Sequence, residues 1–360
     1  MRDEWIHVVE KIAKKAEEQS GIPAYARSVF NVINAIRFAD NIFWVARYSR
    51  EAFNLVVAIV EELRKEGLVS FADGRITLTR AGQEILNKAS YEARIETCEK
   101  CKGRRVSPEI LPEDIVEEFM RIQNKRPPPI RVYDQGYVTP DTTLARVAYM
   151  HYRGDLRGRE IIVLGDDDLV SIAIGLTGMA RRIVVIDIDE RLTKFISEVS
   201  KEYGLGIEIL TTDLRKPLPD ELSRKFDVFQ TDPLETISGF RAFVGRGIAT
   251  LKGPRCAGYF YLTLIDSSLD KWREIQRILV GEFNVVLTDV VSDFSEYINW
   301  GYFEEMHGWS ILPEELRVRP RDGWYVSTLF RIETLRGSRG FEDEVPSEED
   351  IYEDEELASA

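Results

Sequence analysis

Four scarcities narrow what this chain of 360 residues can be. It has only three cysteines, Cys98, Cys101 and Cys256. An odd, small number argues against a disulfide framework. Cys98-Glu-Lys-Cys101 has the spacing of half a zinc site, but no second pair follows, and His7, His151 and His307 are scattered. A tetrahedral site needs four ligands, so no metal is expected unless two chains share one. No apolar run reaches 18 residues, which excludes a spanning helix of the usual kind. The first fifteen residues, MRDEWIHVVEKIAKK, lack a signal peptide's apolar core and cleavage site, so a cytoplasmic location is expected. There is no G-x-G-x-x-G loop for a pyrophosphate. There is also no basic excess: the formal net charge is −14.

That charge is uneven. Residues 341–360 carry ten acids, Glu348 among them, and no base, which leaves 52 acids against 48 bases in the rest. The body is nearly balanced, and the tail reads as a flexible, solvated segment. Lys, Arg and Glu are abundant in a way that fits a thermophilic source.

Four regions follow. Residues 1–90 show helical periodicity over 1–20, 24–39 and 50–66, with 44–48 as a short link. The run LVSFADGRITLTRAGQEIL then reads as two strands around Asp73-Gly74 and a further helix. This stretch resembles the wing and last helix of winged-helix domains. Without a Lys/Arg stripe it suits protein contacts better than nucleic acid. Residues 91–153 form a connector with the C-x-x-C turn, a helix over 112–124 and the stiff run Pro127-Pro128-Pro129. Tyr133, Asp134, Gln135, Gly136 and Tyr137 follow, placed to line the front of a site or to cap the helix opening near Thr139. Residues 154–340 alternate strands and helices. The strands are expected at 161–164, 183–188, 207–210, 226–231, 258–264, 283–291 and 325–332. They predict a Rossmann-like α/β, doubly wound sheet with the antiparallel edge pair of methyltransferase-type folds.

Acids mark the strand ends, the ligand-binding edge of such a sheet. The first strand runs into Gly165, Asp166, Asp167 and Asp168, where a nucleotide loop is normally glycine-rich. Carboxylates there repel an anion and attract a cation. Asp187 ends the second strand and suits two ribose hydroxyls, with Asp189 as the other choice. Asp213 follows the third, placed to accept from an adenine amine. Asp232 follows the fourth in Thr231-Asp232-Pro233-Leu234-Glu235-Thr236, where a transferred group would meet its acceptor. This order favours an adenosine-sulfonium co-substrate over a dinucleotide.

The series VLGDDDL, VIDIDERL, TTDLRKPLP and FDVFQTDPLET resembles the aminopropyltransferases of the spermidine synthase type, and within them the branched-chain polyamine synthases. The resemblance implies decarboxylated S-adenosylmethionine as co-substrate, no prosthetic group, spermidine or a related polyamine as acceptor, and a homodimer. It places Asp168 against the cofactor's amine. Tyr133, Gln135, Asp232, Pro233, Leu234 and Glu235 are expected, from their places in the chain, around the acceptor. The chemistry agrees: removing the carboxylate from S-adenosylmethionine leaves an ammonium and a sulfonium for an acidic loop. Asp232 would accept a hydrogen from the attacking amine. A covalent route through Asp167 or Asp168 stays open. An N-methyltransferase and a winged-helix regulator that senses a small molecule are the alternatives. Further acids, Asp266, Asp289, Asp293, Glu296, Glu304 and Glu305, read mainly as surface groups.

Overall fold

A computed structural model describes residues 4–88, 97–347 and 349–359. The expected boundary at 90/91 and Glu348 lie outside the described residues. Helices α1 (Glu4–Ser20), α2 (Ala26–Ala35), α3 (Ile42–Ser49) and α4 (Phe53–Lys65) open the chain. Phe53, Val56, Val57, Val60 and Leu63 of α4 are all buried, as their spacing required. The segment expected to be a link is α3. It is too short to display a period, and Asn41 starts it by accepting from Phe43 N at 3.1 Å. Strands β1 (Val69–Ala72) and β2 (Arg75–Leu78) pair antiparallel around Asp73 and Gly74. Both turn residues take positive φ, 51° and 76°, as a two-residue hairpin demands. Helix α5 (Arg80–Lys88) closes this unit.

Helices α6 (Glu113–Gln123) and α7 (Pro140–Arg153) precede the main sheet. Its strands are β3 (Glu160–Leu164), β4 (Arg182–Asp187), β5 (Ile207–Thr211), β6 (Val228–Thr231), β7 (Ala257–Leu262), β8 (Val285–Glu296) and β9 (Val326–Thr334). Helix α8 (Val170–Leu176) follows β3, and α9 (Glu190–Tyr203) follows β4. The order is β5-β4-β3-β6-β7-β9-β8, with β9 antiparallel to both neighbours and the other pairs parallel. The sheet is therefore the methyltransferase-type one expected. β4 and β6 flank β3, so the strand order reverses there and a crevice opens above their carboxyl ends. Alternate β3 residues feed two cores: Ile161 and Val163 pack on the face of α7 to α9, while Ile162 and Leu164 pack on the opposite face. β8 runs past its expected end because two register shifts bend this edge strand.

Residues 297–325, between β8 and β9, join the first unit. Phe43, Phe53, Trp300, Phe303 and Trp324 share one apolar cluster with helices α1 to α4.

The acidic tail is not a free segment. Val345, Ile351, Leu357 and Ala358 are buried. Asp354 pairs with the buried Lys271 at 2.7 Å. Glu356 accepts from Ser268 N and Oγ at 2.6 and 2.8 Å. Asp266 accepts from Ala358 N and Ser359 Oγ, each at 2.6 Å. Spaced apolar residues and paired acids outweigh the repulsion that the charge run suggested.

Candidate active site

The three aspartates after β3 face three ways. Gly165 turns the chain at φ 70°, and a Cβ there would come within 3.3 Å of the Phe243 ring. The Asp166 carboxyl turns inward onto Ser171, taking its N–H at 3.2 Å and its Oγ at short range. Burial pushes this carboxyl up to about 8. It holds the start of α8 and lines no part of the cleft, contrary to its expected place in cofactor binding. Asp168 is buried as well. It accepts from Val138 N at 2.8 Å and from Arg146 Nη1 at 2.7 Å, which occupies both oxygens. Asp168 also lines no part of the cleft, which does not support the expected contact with a cofactor amine. The cleft falls to Asp167. Its carboxyl accepts no hydrogen bond from the described residues, and burial with Asp168 and Asp187 nearby raises its pKa. Arg126 fixes its backbone by donating to the Asp167 carbonyl at 2.7 Å.

The cleft has two lobes of similar size, both partly open to solvent. Asp134, Asp167, Asp232 and Leu234 belong to both lobes and form the wall between them.

One lobe is lined by Gly165, Asp187, Thr212, Asp213, Phe243 and Tyr352. Asp187 accepts the N–H groups of Asp166 and Asp189 at 2.9 and 2.8 Å, which aims it at the cleft. Asp189 is taken up elsewhere: it caps α9 and binds Arg191 and Gln135. Of the two, Asp187 lines the cleft and Asp189 does not. Burial raises the Asp213 carboxyl, but the Arg215 guanidinium at 2.6 Å outweighs it and holds the group below the usual range. Tyr133 and Gln135, expected around the acceptor together with Pro233 and Glu235, line this lobe and not the one that holds Pro233 and Glu235. Gln135 acts as a brace, accepting from Ile130 N at 3.1 Å and donating to Asp189 at 3.0 Å.

The other lobe holds Pro233 and Glu235 with Tyr297, Trp300, Tyr302 and Tyr325 as aromatic walls. Asp232 Oδ2 accepts from Arg146 Nη2 at 2.6 Å and from the Tyr297 hydroxyl at 2.7 Å. Burial raises its pKa against the pull of Arg146. Glu235 Oε1 accepts from Thr263 N at 2.6 Å, while Oε2 is buried without a partner. An unpaired buried carboxylate oxygen is costly and suits a cationic ligand. Asp134 sits in the left-handed region at φ 49°, and burial with Asp266 nearby pushes its carboxyl up to about 7.

Sequence reasoning named Asp134 only as part of its loop and missed Arg146. The signal was there: one arginine inside the apolar stretch LARVAYM of α7. Tyr297, Trp300 and Tyr302 lie among acids that read mainly as surface groups, and Leu357 and Ser359 of the tail gave no signal. Among the described residues, no group of three or more His, Cys, Asp or Glu is placed to hold a metal ion. No described helix is long and apolar enough to cross a membrane.

A methyltransferase-type sheet with an acid-lined, two-lobed cleft above its strand ends defines a Rossmann-like group-transfer enzyme. Residues 114–359 match the family described as Branched-chain polyamine synthase A C-terminal domain. The N(4)-bis(aminopropyl)spermidine synthase of Thermococcus kodakarensis is 51% identical over 351 residues, covering 97% of this chain and 99% of that one. The Methanocaldococcus jannaschii protein of the same name is 47% identical over 353 residues, covering 98% and 100%. The crystal structure of the Thermus thermophilus branched-chain polyamine synthase contains N4-aminopropylspermidine and 5′-methylthioadenosine. It superposes with a TM-score of 0.90 at 37% identity, covering 98% of this chain and 99% of that one. The chain belongs to the branched-chain polyamine synthase family.

Proposed function

We propose that this enzyme moves aminopropyl groups from decarboxylated S-adenosylmethionine to the secondary amine of spermidine. The products are N4-aminopropylspermidine, then N4-bis(aminopropyl)spermidine, with 5′-methylthioadenosine released at each step. The observation that carries the reading is the wall of Asp134, Asp167 and Asp232 shared by the two lobes. It sits where a sulfonium on one side would meet a polyamine on the other.

In this reading Asp187 holds the ribose hydroxyls and Asp213 accepts from the adenine amine. Asp167 faces the aminopropyl ammonium and the sulfonium. A unit charge at ~4 Å and an effective dielectric near 20 is worth roughly 4 kcal/mol before desolvation. The same carboxylate would repel the carboxylate of ordinary S-adenosylmethionine. Glu235 and Asp134 take the cationic groups of the acceptor, and the aromatic walls cover its methylenes. The neutral secondary amine attacks the propyl carbon next to sulfur. Its lone pair forms the C–N bond and the C–S electrons return to sulfur; in the first addition the proton lost from nitrogen passes to Asp232, and in the second the tertiary nitrogen has no proton to lose and becomes a quaternary ammonium. Holding both reactants across one wall supplies the alignment.

The first unit, read as a winged-helix-like scaffold, supports the acceptor lobe through the aromatic cluster it shares with Trp300 and Trp324. A cytoplasmic homodimer completes the proposal, checked by light scattering and cell fractionation. Incubation with decarboxylated S-adenosylmethionine and spermidine, followed by mass spectrometry with fragmentation, tests the function. One and then two additions on the secondary nitrogen are expected. A linear product extended at a primary amine would contradict the assignment.

A further inference from the structure

Arg146 lies at the centre of the site, though it lines neither lobe. Its guanidinium is fully buried, with both terminal nitrogens hydrogen-bonded and Nε left without a partner among the described residues. Nη1 donates to Asp168 at 2.7 Å, and Nη2 donates to Asp232 at 2.6 Å and to Ser295 Oγ at 2.9 Å. The guanidinium carbon lies 3.6 Å from the centroid of the Tyr261 ring, so the plane is clamped from one face. These partners come from the β3 loop, the β6 end, β8 and β7. One side chain of α7 therefore ties together the elements that carry the transfer.

We propose that Arg146 is the positioning residue of the aminopropyl transfer, fixing Asp232 as an ionised carboxylate with Oδ1 left for the attacking amine. This rests on the reading of Asp232 given above. Both hydrogen bonds to the Asp232 carboxylate, from Arg146 and Tyr297, end on Oδ2, and Oδ1 has no partner among the described residues. The other charged or titratable groups near Asp232 are Asp167 and Asp168 of the β3 loop, Glu235 beyond β6, Tyr261 of β7 and Tyr297 beyond β8. The carboxylates among them favour the protonated form of Asp232, and Arg146 opposes them. Asp168 balances the guanidinium on its far side, so the cation stays out of a cleft that must admit cations.

The test is the pH profile of kcat in Arg146→Gln and Arg146→Lys, beside Asp232→Asn. Arg146→Gln is expected to lower kcat on the order of a hundredfold at neutral pH. The acid limb of its profile should move up by about one unit or more. The limb rises whether it reports Asp232 or the amine bonded to it, because both lose the same neighbouring positive charge. Arg146→Lys keeps the charge without the fork, so its limb stays near the wild-type position while kcat falls. Affinity for 5′-methylthioadenosine should be unchanged in both, since Arg146 does not touch that lobe. A folded Arg146→Gln enzyme with an unmoved acid limb would overturn the inference. So would wild-type kcat in Arg146→Lys, which serves alone if Arg146→Gln does not fold. Asp232→Asn separates the two claims: wild-type turnover in it sinks the role of Asp232 itself. An inactive Asp232→Asn beside an unmoved limb in Arg146→Gln sinks only the role of Arg146.

Discussion

Asp167 and Asp168 are adjacent in sequence and opposite in surroundings. Asp168 has a buried guanidinium and a backbone N–H on its two oxygens, whereas Asp167 faces the cleft unpaired. The two substitutions should therefore separate. Asp167→Asn is expected to cut turnover on the order of a hundredfold or more while leaving thermal stability equal or higher, because it removes a desolvated, unpaired acid crowded by Asp168 and Asp187. Asp168→Ala leaves Arg146 with one buried counter-charge fewer and should cost about 3–5 kcal/mol in urea unfolding. Asp134 adds a pH dependence. Its carboxyl is pushed up to about 7 in the free protein, and a cation prefers the ionised form. Spermidine affinity should therefore rise as pH climbs through 7 and fall below it, with protons released on binding. Calorimetry in buffers of different ionisation enthalpy reads that release, and a buffer-independent heat would count against it. The sequence located Asp167 and Asp168 in a loop at a strand end, where the cleft opens. It could not rank them, because which carboxyl meets the cleft depends on the Gly165 turn and on Arg146 from another element.

At the scale of elements, the strands were legible because short β-rich apolar runs ended in acids at regular intervals. α3 and the tail were not. Helix α3 is eight residues long and apolar on most sides, so no period shows. The tail was judged by its charge, yet Val345, Ile351 and Leu357 seat it, and Lys271, Ser268 and Asp266 receive its polar groups. Ile351, Tyr352, Leu357 and Ser359 reach the two lobes. Lys271→Ala should loosen this segment while the sheet stays folded. Faster proteolytic cleavage beyond residue 340 is expected, with a several-fold higher KM for spermidine. Unchanged cleavage would show that the apolar contacts hold the tail without the ion pair.

For the whole molecule, the net charge of −14 gathers in the tail, and the tail is folded against the acid-lined cleft. The excess thus lies where a polycation must enter. Raising ionic strength should lower kcat/KM for spermidine more than kcat, since screening weakens approach and binding before it weakens a buried wall. The central claim is that Asp134, Asp167 and Asp232 select a co-substrate ending in an ammonium. Equilibrium binding of decarboxylated and ordinary S-adenosylmethionine to the same enzyme tests it most directly. The decarboxylated form should bind at least about tenfold tighter, a small part of what one unit charge is worth at contact, and the gap should narrow in Asp167→Asn. Equal or tighter binding of ordinary S-adenosylmethionine would contradict the account.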